Sequence, residues 1–206
     1  MRLSAPEFWN QVRFSSHDEL LSAIARLADE MAGKMQCPPE RLSPRPRTLA
    51  RLNSLSSKYG LDELPPHTDG AHHRIPPRVV VLWCLQDDPT ETPTYLRRFK
   101  PSLLCSDFWD RLKASIWSVR IRRELHFYRR PVSHDEISWD PGCFVNDRTK
   151  RLERDEVDAT LRGLPHEAVY WKCGAALIIN NRRVLHSRAA VTDTIGNREL
   201  FRVLVS

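Results

Sequence analysis

Residues 78–86, Arg-Val-Val-Val-Leu-Trp-Cys-Leu-Gln, form a nearly continuous, β-branched apolar run behind Pro76-Pro77. Such a run predicts a strand buried on both faces. Further upstream the period changes. Leu20, Leu21, Ile24, Leu27, Ala28 and Met31 recur at helical spacing, so residues 7–34 read as helix, with Ser16 able to cap. Pro38, Pro39, Pro44 and Pro46 break that pattern, so 35–52 reads as an irregular, basic connector. Pro65-Pro66 then impose an extended backbone on the residues around them. Polar residues and prolines at 87–93 predict a loop running into Pro93-Thr94-Tyr95-Leu96. Residues 107–117 read as a short amphipathic helix capped by Ser106 or Asp107, and 154–164 as a polar helix. Strands are expected at 122–130 and 137–145, the second interrupted by Asp140-Pro141-Gly142. Four more are expected at 168–172, 175–179, 183–188 and 198–205. Strands dominate after residue 65, which fits a mainly β fold with helical decorations, a double-stranded β-helix or jelly roll.

At 206 residues the chain fits one domain, with 1–51 as a helical and irregular N-terminal part and 52–206 as the jelly-roll core. No run of about 18 apolar residues is present, so no membrane-spanning helix is expected. The N-terminus lacks a hydrophobic signal core, which favours the cytoplasm. Five cysteines, an odd number without a C-x-x-C pair, suit free thiols in a reducing compartment. The net charge of +6 comes from basic residues scattered through the chain, such as Arg97-Arg98 and Arg182-Arg183, not from one arm. With no stacking aromatics interleaved in a basic stripe, that argues for a solvated surface and against nucleic acid. Neither G-x-G-x-x-G nor a P-loop occurs among the seven glycines, which argues against a nucleotide-phosphate cradle.

Chemistry enters at His67-Thr68-Asp69-Gly70. Residues i and i+2 of an extended segment share a face, so one imidazole and one carboxylate stand side by side. That is two-thirds of a 2-His-1-carboxylate facial triad, the donor set of non-haem Fe(II). The candidate second histidine is His186. It is followed by Arg198 and Arg202, which share a face of a presumed strand and could clamp a carboxylate bidentately. His72 and His73 read as a loop beside the triad, and Trp83 and Trp171 as core. His126, His134 and His166 have no recruiting spacing.

Taken together, these residues resemble the Fe(II)/2-oxoglutarate-dependent dioxygenases of the taurine dioxygenase and clavaminate synthase type. The resemblance covers roughly 52–206. It rests on Gly60-x4-Pro65-Pro66-His67-Thr68-Asp69, Pro76-Pro77-Arg78 and Trp139-Asp140-Pro141-Gly142, then Trp171-x2-Gly174, Asn181-Arg182-Arg183-x2-His186-x-Arg188 and Arg198-x3-Arg202. It implies His67, Asp69 and His186 as the catalytic iron ligands. It also implies Arg198 and Thr94 as partners of the distal carboxylate of 2-oxoglutarate, with Thr92 as the fallback, and Arg202 near an anionic substrate group. The implied cofactors are Fe(II) and 2-oxoglutarate as cosubstrate, with O2. The implied reaction is hydroxylation of a small anionic or amino-acid-like molecule, releasing succinate and CO2. The chain is shorter than most relatives, so substrate-covering lids are expected to be trimmed. The alternative is a non-catalytic jelly-roll binding protein that keeps the pocket. Oligomeric state is left open.

Overall fold

The computed structural model describes residues 1–36, 38–50, 54–88, 91–121, 125–191 and 200–206. It begins with strand β1 (Trp9–Arg13), helix α1 (His17–Glu30) and strand β2 (Glu40–Leu42). The helical pattern thus starts later than expected, because residues 9–13 pair antiparallel with a distant strand, Trp9 opposite Ile179. Tertiary pairing overrides local periodicity there. Ser16 caps α1 as expected: its Oγ accepts from Glu19 N at 3.2 Å. Glu19 returns a carboxylate oxygen to Ser15 N at 3.1 Å, so donors at the helix start are satisfied reciprocally. Inside the connector read as irregular, Glu40–Leu42 forms an edge strand.

The remaining elements are α2 (Leu55–Tyr59), β3 (Leu64–His67), β4 (Val79–Cys84), β5 (Thr94–Arg98), α3 (Ser106–Ala114) and β6 (Trp117–Arg120). They continue as β7 (His126–Arg129), β8 (Val132–Ser133), β9 (Glu136–Ile137), β10 (Phe144–Asp147) and α4 (Arg154–Arg162). The chain ends in β11 (Glu167–Val169), β12 (Ala175–Asn180), β13 (Val184–Arg188) and β14 (Leu200–Val205). Residues 94–96, expected as the end of a loop, instead open the strand Thr94–Arg98, because it pairs with both β11 and β13. The helix expected at 107–117 stops at Ala114. Cys105 occupies its N-cap position without a side-chain bond, and Trp117 instead opens β6 with its ring fully buried. The strand expected at 137–145 is split around the Asp140-Pro141-Gly142 turn. Parts of the expected strands at 122–130 and 198–205 lie outside the described residues, as does Cys37. Cys84, Cys105, Cys143 and Cys173 are free thiols. Among the described residues no helix is long and apolar enough to cross a membrane.

Two antiparallel sheets carry the architecture. The larger has the order β1-β12-β4-β14-β2 and the smaller β11-β5-β13-β3. Strand alternation explains how they pack. Val79, Val81 and Trp83 of β4 face α1, sharing a cluster with Leu20, Ile24 and Leu27. Val80, Leu82 and Cys84 face the smaller sheet and meet Leu96 and Val184. Both faces of β4 are therefore covered, as its composition requires. Each buried aliphatic side chain on α1 contributes roughly 1.5–3 kcal/mol of burial free energy to holding this outer layer. A third sheet, β10-β6-β7, packs with α3 and α4 around Trp117, Trp139 and Phe144.

The same alternation decides which side chains enter the space between the two main sheets. On β13, Val184 lies in the inter-sheet core while Leu185 joins the outer cluster. His186 therefore shares the inner face with Val184. On β14, Leu200 and Leu204 are inner residues, so Arg202 points inward between them. Leu96 is inner on β5, and Thr94, two residues away, is inner with it.

Candidate metal centre

His67 closes β3 and stands opposite His186 on β13. Their ring centroids are 4.4 Å apart. Asp69 follows two residues later, and ligand atoms of His67, Asp69 and His186 all lie within 4.8 Å of one another, every residue buried. His67 Nδ1 is 2.8 Å from the Pro65 carbonyl. A carbonyl only accepts, so Nδ1 carries the proton and Nε2 offers its lone pair. Burial, with His186 adding to it, pushes this imidazole down to about 3, keeping it in the neutral form that binds metals.

The turn carrying Asp69 is clamped on both sides. Thr68 N donates to the Trp139 carbonyl at 2.7 Å, and Thr68 Oγ1 accepts from Trp139 N at 3.0 Å. On the other side, Asn181 Oδ1 accepts from Asp69 N at 2.8 Å, and its Nδ2 donates to the carbonyls of Asp69 and Pro77 at 2.9 and 3.0 Å. Gly70 then reverses the chain at φ +63°, where a Cβ would lie 2.7 Å from the Pro77 ring. Asn181, noticed in sequence only as part of a spacing, is the residue that locks the motif to the β12–β13 turn.

The two oxygens of Asp69 differ. Oδ1 accepts from Arg202 Nη1. Oδ2 is buried without a hydrogen-bond partner and lies 3.4 Å from His186 Nε2. Burial alone would raise this carboxyl, but the Arg202 guanidinium and the neighbouring His186 hold it well below the usual carboxylate range. Buried polar atoms nearly always have a partner. A partnerless carboxylate oxygen beside two imidazoles is the donor arrangement a facial-triad metal completes, and Fe(II) fits it.

These residues open into a cleft of about 690 Å³. Thr94 lines it, accepting from Trp171 Nε1 at 3.0 Å, so the buried Trp171 indole also fixes the threonine. Thr92 is buried nearby in sequence. Arg198 lies outside the described residues. Arg202 lines the cleft, and its second donor, Nη2, goes to Glu40. His72 and His73 line it too, as expected of a loop beside the triad. His126 meets Ser118 and His166 packs on Tyr95, away from the triad. Glu40, Arg120 and Asp140 are among the cleft groups with no assigned role from sequence. Glu40 is brought in by register opposite Arg202. Arg120 donates to the Gly142 carbonyl at 3.1 Å and, among the described residues, meets no carboxylate. The Asp140 carboxyl is pushed up to about 6 by burial and accepts from Gly142 N at 2.6 Å. No motif signals the first two. A second depression of about 360 Å³, lined by Phe8, Phe99 and Lys100, contains none of the triad.

The fold is that of a group of solved non-haem iron oxygenases. The non-heme iron oxygenase OrfP, in complex with Fe, succinate and (3S)-hydroxy-L-Arg, superposes with a TM-score of 0.68 and 16% identity over 97% of this chain and 76% of its own. PvcB of Pseudomonas aeruginosa, described as an Fe, alpha-ketoglutarate dependent oxygenase from an isonitrile synthetic pathway, gives 0.68 and 17% over 96% and 75%. An asparagine oxygenase with Fe(II), 2S,3S-3-hydroxyasparagine and succinate gives 0.60 and 21%, covering 70% of this chain but only half of that protein. No family model and no curated protein matches the sequence.

Proposed function

We propose that the protein is an Fe(II)- and 2-oxoglutarate-dependent oxygenase of jelly-roll type that hydroxylates a small anionic or amino-acid-like substrate. The observation that carries the reading is the convergence of His67, Asp69 and His186 in the cleft, with Asp69 Oδ2 partnerless. In this reading those three residues hold the iron. When bound, iron and 2-oxoglutarate supply the oxidising chemistry, consuming O2 and releasing succinate and CO2.

The chain's own part is placement. Thr94 and Arg198 take the distal carboxylate of 2-oxoglutarate, which needs a cationic partner once buried. Arg202 stands on the substrate side of the cleft, near the anionic substrate group, with its guanidinium shared between Asp69 and Glu40. Arg120 and Asp140 are groups of opposite sign in one cleft, a combination suited to a molecule bearing both a carboxylate and an ammonium or guanidinium. Leu82, Leu200 and Leu204 give the cleft an apolar wall that excludes water. Two of the similar structures hold hydroxylated amino acids, which supports the same substrate class.

The test is anaerobic addition of Fe(II) and 2-oxoglutarate, watching for the weak visible charge-transfer band, followed by an amino-acid panel. The expected result is a band that one or more amino acids perturb, with succinate formed on admitting O2. A folded protein that binds no Fe(II) would overturn the proposal. A band without succinate for any substrate would favour a binding protein.

A further inference from the structure

Arg202 sits on the inward face of β14, directly across from Glu40 of β2 in the strand register. Its guanidinium bridges two carboxylates, Nη1 on Asp69 Oδ1 and Nη2 on Glu40 Oε2. Exposure rises along this row: the side chains are 6% exposed at Asp69, 22% at Arg202 and 53% at Glu40. We infer that Glu40 and Arg202 form a brace that presents Asp69 to a divalent metal through Oδ2 alone. The inference rests on the triad being a metal site and assigns Arg202 a task besides its place near substrate.

Two physical arguments support the brace. The first is geometric. With Oδ1 bound to Arg202, the carboxylate has one oxygen left and cannot chelate with both, so the metal keeps open positions for its cosubstrate. The second is electrostatic. An arginine paired with Asp69 alone would cancel its charge, and the pair would offer nothing net to a dication. Glu40 restores one negative charge to the row of three. It also holds the planar guanidinium from its far side, which lysine, as a point charge, could not reproduce. Glu40 and Arg202 are thus positioning residues, acting on the metal through Asp69.

The test uses the full chain and Co(II) alone, without 2-oxoglutarate or substrate, followed by calorimetry and by visible absorption. Glu40→Gln suits it, because the residue is half-exposed on an edge strand and glutamine keeps an acceptor for Arg202. Its Co(II) affinity should fall about tenfold, the low end of the 10–100-fold that outer partners of metal ligands contribute. Arg202→Lys should lose more and should change the band pattern, since one ammonium leaves Asp69 free to chelate. A structural role at the sheet edge would lower thermal stability but leave the Co(II) affinity and spectrum unmoved. Wild-type affinity in Glu40→Gln would therefore overturn the brace while leaving the metal site standing. Failure of the wild-type chain itself to bind Co(II) would overturn the oxygenase reading along with it.

Discussion

His186 stands across from His67 on adjacent antiparallel strands, so two of the three candidate ligands are a cross-strand pair set by sheet register. A slip of one residue would turn either imidazole to the opposite face. The two histidines are therefore placed by the sheet, and Asp69 by the clamped turn that follows β3. Replacing His186 with Ala should abolish Fe(II) binding and succinate formation while the far-ultraviolet dichroism stays as in wild type. Full turnover by His186→Ala would remove the facial triad.

Asn181 should be intolerant of its nearest isostere. In Asn181→Asp the oxygen that accepts from Asp69 N survives, but the group that donated to two carbonyls becomes an acceptor facing them. Losing these buried bonds should cost on the order of 2–4 kcal/mol in urea unfolding. Metal affinity should fall with it, since the backbone of Asp69 loses its clamp. Unchanged stability would mean that the Thr68–Trp139 bonds alone hold the turn.

Asp140 offers a pH test. Its carboxyl titrates near 6 in the folded protein against about 4 when unfolded. Between those values the native state binds more protons, so stability falls as pH rises through the window and is level above it. Asp140→Asn keeps the acceptor for Gly142 N and removes the buried charge. A gain on the order of 2–3 kcal/mol is expected at pH 8, fading towards zero near pH 4. Equal gains at both pH values would place the cause elsewhere.

For Arg198, replacement by Ala should weaken 2-oxoglutarate binding by an amount on the order of 2–5 kcal/mol, as when a buried charge loses its partner. Lysine should recover only part, because the planar fork is lost. Unchanged 2-oxoglutarate affinity would assign the distal carboxylate to another cation.

Much of this was legible in the chain, for identifiable reasons. The run through Val79–Cys84 read as a covered strand and is one, and Ser16 read as a helix cap and is one. The His67 and Asp69 pair was visible as a spacing, but only the residues around it made it a candidate site. What escaped was decided by pairing between distant strands. β5 was hidden because Arg97, buried against Ser187 Oγ at 2.8 Å, breaks the apolar pattern expected of an interior strand. β1 shares apolar residues with the helical stretch that follows it. β2 is a short edge segment among prolines, and its Glu40 matters only because Arg202 arrives opposite it. The proposed role of Arg198 lies outside the described residues and stays where the family resemblance put it.

The strand order β1-β12-β4-β14-β2 also governs how fast such a molecule can assemble. Residues near one end of the sequence flank strands drawn from the other, Trp9 beside Ile179 and Leu42 beside Leu200. Long loops must close before these contacts repay their entropy, and topologies of this kind fold over milliseconds to seconds. His67 and Asp69 are neighbours from the start, whereas His186 and Arg202 reach them only once those loops have closed. Capture of Co(II) in a stopped-flow refolding experiment should therefore coincide with the slowest structural phase, making the metal a reporter of completed assembly.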